Sequence, residues 1–105
     1  MFTEAIHTEA TTAARVAATN FLTKHGDADC CGFAWVTVYD VKLSSKDGKA
    51  FKAMGFDKAY GGGIQLWNPS GIPTQSITAK EDGARAYANI LQANGYKAYA
   101  GSRMD

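Results

Sequence analysis

Two cysteines, two histidines and a cluster of acids are the residues of this 105-residue chain whose chemistry could serve catalysis or metal binding. A thiol becomes a nucleophile when a neighbouring base takes its proton, so Cys31 with His7 or His25 would make a small cysteine-dependent enzyme. Neither histidine stands at a diagnostic spacing, and a cysteine just before an apolar run serves more often as a small hydrophobe. His25, Asp27, Asp29, Cys30 and Cys31 fall within seven residues and offer soft donors. Adjacent cysteines lack the two-residue gap that lets both thiolates reach one zinc ion, so this pattern predicts no metal site. Gly61-Gly62-Gly63 is not followed by a helix or by Lys-Ser/Thr, which argues against a phosphate loop and leaves it the task of permitting unusual backbone angles. No catalytic residue, metal or cofactor is assigned.

Stacking and apolar contact are the chemistry that remains, and the elements decide whether the rings can perform it. Thr3 to Lys24 places Phe2, Ile6, Ala10, Ala13, Ala17 and Phe21 at spacings of three and four, a helix with one shallow apolar stripe stopped by Gly26. Phe33 to Val41 is dominated by β-branched and aromatic residues and predicts a strand. Ser44 or Ser45 caps a short helix that carries Ala50, Phe51 and Met54 and ends at Gly55. Ile64–Trp67 and a weaker Pro73–Ile77 flank Asn68-Pro69-Ser70-Gly71, whose turn chemistry predicts a β-hairpin. Thr78-Ala79-Lys80-Glu81 has the capping-box form and opens a helix through Ala84, Tyr87, Ala88 and Leu91 to Gly95. Tyr96 to Ala100 is a last strand, with a polar tail beyond it.

The expected fold is α+β: one domain over residues 1–105, an N-terminal helix at about 3–24 followed by a ferredoxin-like βαββαβ unit at about 32–100 with a four-stranded antiparallel sheet. A sequence echo agrees with it. Gly55-Phe56-Asp57-Lys58-Ala59-Tyr60 and Gly95-Tyr96-Lys97-Ala98-Tyr99 fall at the two helix-to-strand corners that such a fold relates by pseudo-symmetry, although any helix closing on glycine draws from the same vocabulary.

Alternate strand residues point to opposite sides of a sheet. If Ala34, Val36, Val38, Ile64, Leu66 and Ile77 face the helices, the other side collects Phe33, Trp35, Thr37, Tyr39, Gln65, Trp67, Thr74, Ser76 and Tyr99. Exposed rings of that number form a patch larger than monomers tolerate, so something must cover it. Three covers compete: the first helix folded back, a second copy packed sheet on sheet, or a nucleic acid stacked on the rings. The strand Pro73–Ile77 lacks any aromatic or basic residue, which argues against the last. Asn68, Gln75, Lys80, Glu81, Ser102 and Arg103 form a candidate polar group near the strand ends, with capping and solvation as the competing account.

Composition narrows the partner. Eleven basic residues against ten acidic ones leave a formal charge of +1, without the basic excess of a strong phosphate binder or the acidic surface of a DNA mimic. Adjacent cysteines suit free thiols in a reducing compartment. The absence of a leader pattern and of any apolar run long enough to span a bilayer predicts a cytoplasmic protein without a membrane partner.

Cys31-Gly32-Phe33-Ala34-Trp35-Val36, Leu66-Trp67-Asn68-Pro69-Ser70-Gly71, Thr74-Gln75-Ser76, Lys80-Glu81-Asp82-Gly83-Ala84 and Gly101-Ser102-Arg103-Met104-Asp105 together resemble an uncharacterised family of small proteins encoded by tailed bacteriophages. The resemblance spans nearly the whole chain and carries no site residues. It implies a phage accessory protein in the bacterial cytoplasm, acting by binding, with a host protein as partner. The candidate binding residues are Phe33, Trp35, Tyr39, Trp67 and Tyr99 on the sheet, with Asn68, Gln75 and Arg103 around it. A homodimer or a nucleic-acid ligand on the same rings, and the cysteine enzyme, stay as alternatives.

Overall fold

A computed structural model describes all 105 residues as three helices and one antiparallel sheet. The elements run α1 (Glu4–His25), β1 (Gly32–Tyr39), α2 (Lys46–Ala53), β2 (Asp57–Lys58), β3 (Ile64–Trp67), α3 (Ile77–Ala93) and β4 (Lys97–Met104). In the sheet they lie in the order β2-β3-β1-β4, and every pair is antiparallel. The α+β class with an N-terminal helix and a four-stranded sheet is as the sequence predicts.

The third predicted strand is absent. Residues 73–77 contribute only an isolated bridge between Ser76 and Cys31, and Ile77 already begins α3. Asn68–Gly71 does turn, with the Gly71 N–H donating to Asn68 O at 2.9 Å, but the turn feeds a loop rather than a hairpin. That loop is stitched to itself: Asn68 Nδ2 donates to Ile72 O, Ser70 Oγ donates to Asn68 Oδ1, and the Ile72 N–H donates to Ser70 Oγ. The hairpin lies one step earlier, at Ala59–Gly63, where the Ala59 N–H meets Gly63 O at 3.0 Å and Gly62 and Gly63 take positive φ. The glycine run therefore shapes the reversal between β2 and β3.

The predicted capping box is also replaced. Ser76 is the N-cap of α3, its hydroxyl accepting from the Ala79 N–H, and Thr78 sits inside the first turn with its N–H and hydroxyl both donating to Asp29. Hydrogen bonds from Ser76 and then Thr78 hold the Asp29 carboxyl below its ordinary pKa. Glu81, freed from capping, accepts a hydrogen bond from Ser102 on β4.

Helix α1 buries Ala10, Ala14 and Ala18, a stripe of strict i+4 spacing rotated slightly from the expected Ala10-Ala13-Ala17 line. Its partner is α3. A methyl group built on Gly83 would stand 3.2 Å from Ala14 O and 3.0 Å from Ser70 Cβ, so the missing side chain lets both the helix and the loop approach. Tyr87 on α3 is buried and its hydroxyl meets His7 Nδ1 on α1 at 2.7 Å. One apolar cluster joins Phe2, Ala10 and Ala14 to Val36, Val38, Ile64, Tyr87, Leu91 and Ala98, so both helices lie on the same side of the sheet.

Helix α2 enters that cluster through Phe51, stacked on Phe2 with centroids 3.9 Å apart. Asp47 ties three segments together, accepting from the Phe2 N–H and from the Tyr96 hydroxyl, each at 2.7 Å. Burial, then the hydrogen bond to Asp47, push the Tyr96 hydroxyl far above its ordinary pKa.

The two helix-to-strand corners share one geometry. After α2 the Phe56 N–H donates to Phe51 O and the Gly55 N–H to Lys52 O; after α3 the Tyr96 N–H donates to Leu91 O and the Gly95 N–H to Gln92 O. Each is a Schellman motif whose glycine, at φ 104° and 90°, takes the positive angle that a side chain resists. Phe56 and Tyr96 then drop onto the core, and Ala59 and Ala98 follow as buried residues. The repeated sequence at these corners thus encodes a repeated backbone.

Candidate functional site

Strand alternation divides the sheet as the sequence predicts. Ala34, Val36, Val38 and Ile64 are buried against the helices, while Phe33, Trp35, Tyr39, Trp67 and Tyr99 point the other way. Register brings the rings together: Trp35 is opposite Trp67, with centroids 4.9 Å apart, and Phe33 meets Trp67 edge-on at 5.8 Å. Further along, Tyr39 and Tyr99 lie 6.1 Å apart.

Because α1 packs on α3, it does not cover this face, and the first of the three competing covers, the helix folded back over the rings, is overturned. The physical reason is its stripe of alanines, which finds in Gly83 and Ala84 a closer seat than the bulky rings provide. Tyr39 keeps 43%, Trp67 46% and Tyr99 54% of its surface exposed, and Phe33 and Trp35 are half-buried by their neighbours alone.

A shallow depression of about 360 Å³ opens among Trp35, Tyr39, Tyr60, Gln65, Trp67 and Arg103. Arg103, on β4 opposite Phe33, holds its guanidinium 5.6 Å from the Phe33 centroid, a cation–π arrangement at the rim. Lys80 reaches the same ring at 5.6 Å while its ammonium donates to Gly32 O. At the opposite corner Lys97 donates to Asp40 at 2.7 Å, which holds its ammonium above the ordinary lysine pKa.

The other candidates scatter. Asn68 spends its amide inside the loop and is a structural residue rather than a free polar group. Gln75 is exposed and receives a weak contact from Cys31 Sγ at 3.7 Å, away from the rings. Cys30 and Cys31 are free and exposed. Neither histidine serves Cys31, because His7 is engaged with Tyr87 and His25 packs on the Phe21 ring. His25, Asp27, Asp29, Cys30 and Cys31 do not converge on a common point.

Two residues that shape the face were missed by sequence reasoning. Tyr60 stands fully exposed at the β2–β3 turn, a place visible only once the hairpin is set at the glycine run. Gly101 lies beneath the Trp35 indole: a methyl group there would come within 2.6 Å of Nε1. A glycine inside a strand commonly marks such an approach, and that was the available signal.

No helix is long and apolar enough to cross a membrane. No protein-family model, curated protein or solved structure matches the chain.

Proposed function

We propose that this protein is a non-catalytic binding module whose working surface is the bare face of the sheet, and that a protein docks there. One observation carries the reading: both long helices lie on the far side, leaving Trp35, Trp67, Tyr39 and Tyr99 without an intrachain cover. Trp, Tyr and Arg dominate the energetic centres of protein interfaces, and this face presents all three around one depression.

Charge favours a protein over a nucleic acid. Lys97 is paired with Asp40, Lys52 on the adjoining helix with Asp57, and Lys80 is bound to a backbone carbonyl, which leaves Arg103 as the one unpaired cation beside the rings. A strand of phosphates needs several such cations along its path. Cys31, without a basic neighbour, supports the non-catalytic reading.

The sheet order β2-β3-β1-β4 and the succession β1-α2-β2-β3-α3-β4 support a ferredoxin-like βαββαβ unit preceded by α1. The resemblance to small phage proteins supplies the setting: an accessory protein in the bacterial cytoplasm, with a host protein as its partner.

A photo-cross-linking residue placed at Trp67 or Tyr99 tests this in bacterial cells, with Lys49 on α2 as the control. One host protein recovered from both face positions and not from Lys49, and bound directly when purified, is the expected result. Recovery of nucleic acid alone from the face positions would overturn it.

A further inference from the structure

We infer that β4 is a self-association edge, at which two copies of the chain pair antiparallel and merge their sheets. Along β4 the backbone groups point alternately toward β1 and away from it. The Asp105 N–H donates to Cys31 O on the β1 side, so the odd-numbered residues of β4 turn their N–H and C=O toward β1. The even-numbered residues Ala98, Ala100, Ser102 and Met104 turn theirs outward. Only the Ala98 carbonyl finds a partner there, accepting from Gln92 Nε2 at 2.6 Å. Three consecutive outward positions are left with their ladder groups unpaired, on an edge strand of eight residues, whereas the opposite edge, β2, has two. Long open edges are the places where chains add strands.

The residues of β4 then select the partner. Placing a second β4 antiparallel with Gly101 over Gly101 sets Ala100 against Ser102 and Ala98 against Met104, so that outward N–H and C=O groups meet their complements. The same register brings Asp105 beside Lys97, already paired with Asp40, and sets Tyr99 against Arg103, a cation–π pair repeated on both sides of a two-fold axis. Sliding so that Ala100 faces Ala100 sets Lys97 against Arg103, like against like. Sliding the other way, with Ser102 over Ser102, parts Tyr99 from Arg103 and sets that arginine against Gly101, so the cation–π match is lost. Side-chain complementarity thus favours one register. Gly101 at its centre adds no side chain to a strip already covered by Trp35. On the helix side the seam is flanked by Glu81 and Arg85, polar neighbours of Ala100 and Ser102 that suit a hydrated groove.

Sedimentation across a concentration series tests the inference on the full chain. The expected result is a rise to twice the chain mass, and a monomer at every concentration overturns it. Ala100→Pro removes an N–H that β1 does not use, so it spares the intrachain ladder and should weaken association on the order of 100-fold. A dimer that survives Ala100→Pro but is lost in Trp67→Ala would show sheet-on-sheet packing instead. Should Ala100→Pro fail to fold, the register is read chemically in a Cys30→Ser, Cys31→Ser background. Mixing Tyr99→Cys chains with Arg103→Cys chains under mild oxidation should give the mixed disulfide, and Tyr99→Cys alone should give none. Cross-linking of Tyr99→Cys to itself, or no mixed product, overturns the register proposed.

Discussion

The two faces of one sheet are built from the same strands and could hardly differ more. Toward the helices, β1 presents Ala34, Val36 and Val38, all fully buried, and β4 adds Ala98; these are small or β-branched side chains that let α3 lie close. Toward the other side the same strands carry the large rings Phe33, Trp35, Tyr39 and Tyr99, the two tyrosines exposed and the other two half-buried by their neighbours. The period-two alternation of a strand makes the two choices independent, so packing dictates one set and leaves the other open for a different purpose. Rings this large would have served a core well. Their placement on the uncovered side is what gives the surface its meaning.

The largest test of the contrast strikes the packed side. Phe51→Ala removes a ring stacked on Phe2 and edge-on to Phe56 and Tyr96, and should cost about 3–5 kcal/mol in denaturant unfolding while leaving the opposite face unchanged. The mirror experiment is Trp67→Ala, expected to change stability by under about 1 kcal/mol and to weaken binding of a face partner by about 2 kcal/mol or more in calorimetry. If Trp67→Ala instead unfolds the protein, the rings belong to the fold and the contrast collapses.

Gly101→Ala sharpens the comparison from within the open face. The added methyl displaces the Trp35 indole, so a loss of about 1 kcal/mol and a shift of tryptophan emission should appear together. Acidity probes the packed side more gently. Burial lowers the His7 pKa from its ordinary 6.5, against a smaller opposing pull from Glu4, so the folded state favours the neutral ring that is hydrogen-bonded to Tyr87. The unfolded chain then binds more protons as pH falls through 6.5, and this contribution to stability, full above that value, is lost below it. His7→Gln should flatten the fall in melting temperature over that window. Smallest of all, Lys97→Ala removes an exposed pair with Asp40 and should leave the melting temperature unchanged within error.

Much of the packed side was legible in the sequence, because burial writes itself into periodicity. The strand from Phe33, the helix through Tyr87 and Leu91, and the sorting of Val36 and Trp35 to opposite faces all follow from it. Apart from the unforeseen strand β2 at Asp57–Lys58 and the hairpin that follows it, what failed lies between residues 68 and 78. Ile72, Thr74 and Ser76 alternate like a strand, yet their neighbours Asn68 and Ser70 bind the loop internally, and the Ile77 N–H is taken by Cys30 O. Long-range partners of this kind leave no local trace. Asp29 stealing Thr78 from its capping role and Gly83 drawing α1 across are further cases in which a residue far along the chain decides the outcome.

The paired glycine corners carry one more implication, about phase. Gly55 and Gly95 each release the chain so that an alanine three or four residues on points inward, and everything downstream inherits that setting. One residue inserted between Tyr96 and Ala98 would advance β4 by half a pleat, sending Tyr99 and Arg103 toward the helices and turning the free ladder groups of Ala100 and Ser102 back upon β1. The surface chemistry of the last strand is therefore timed by a turn at its start, and a family of variants differing only in the length of that turn would switch it between two settings, with none in between.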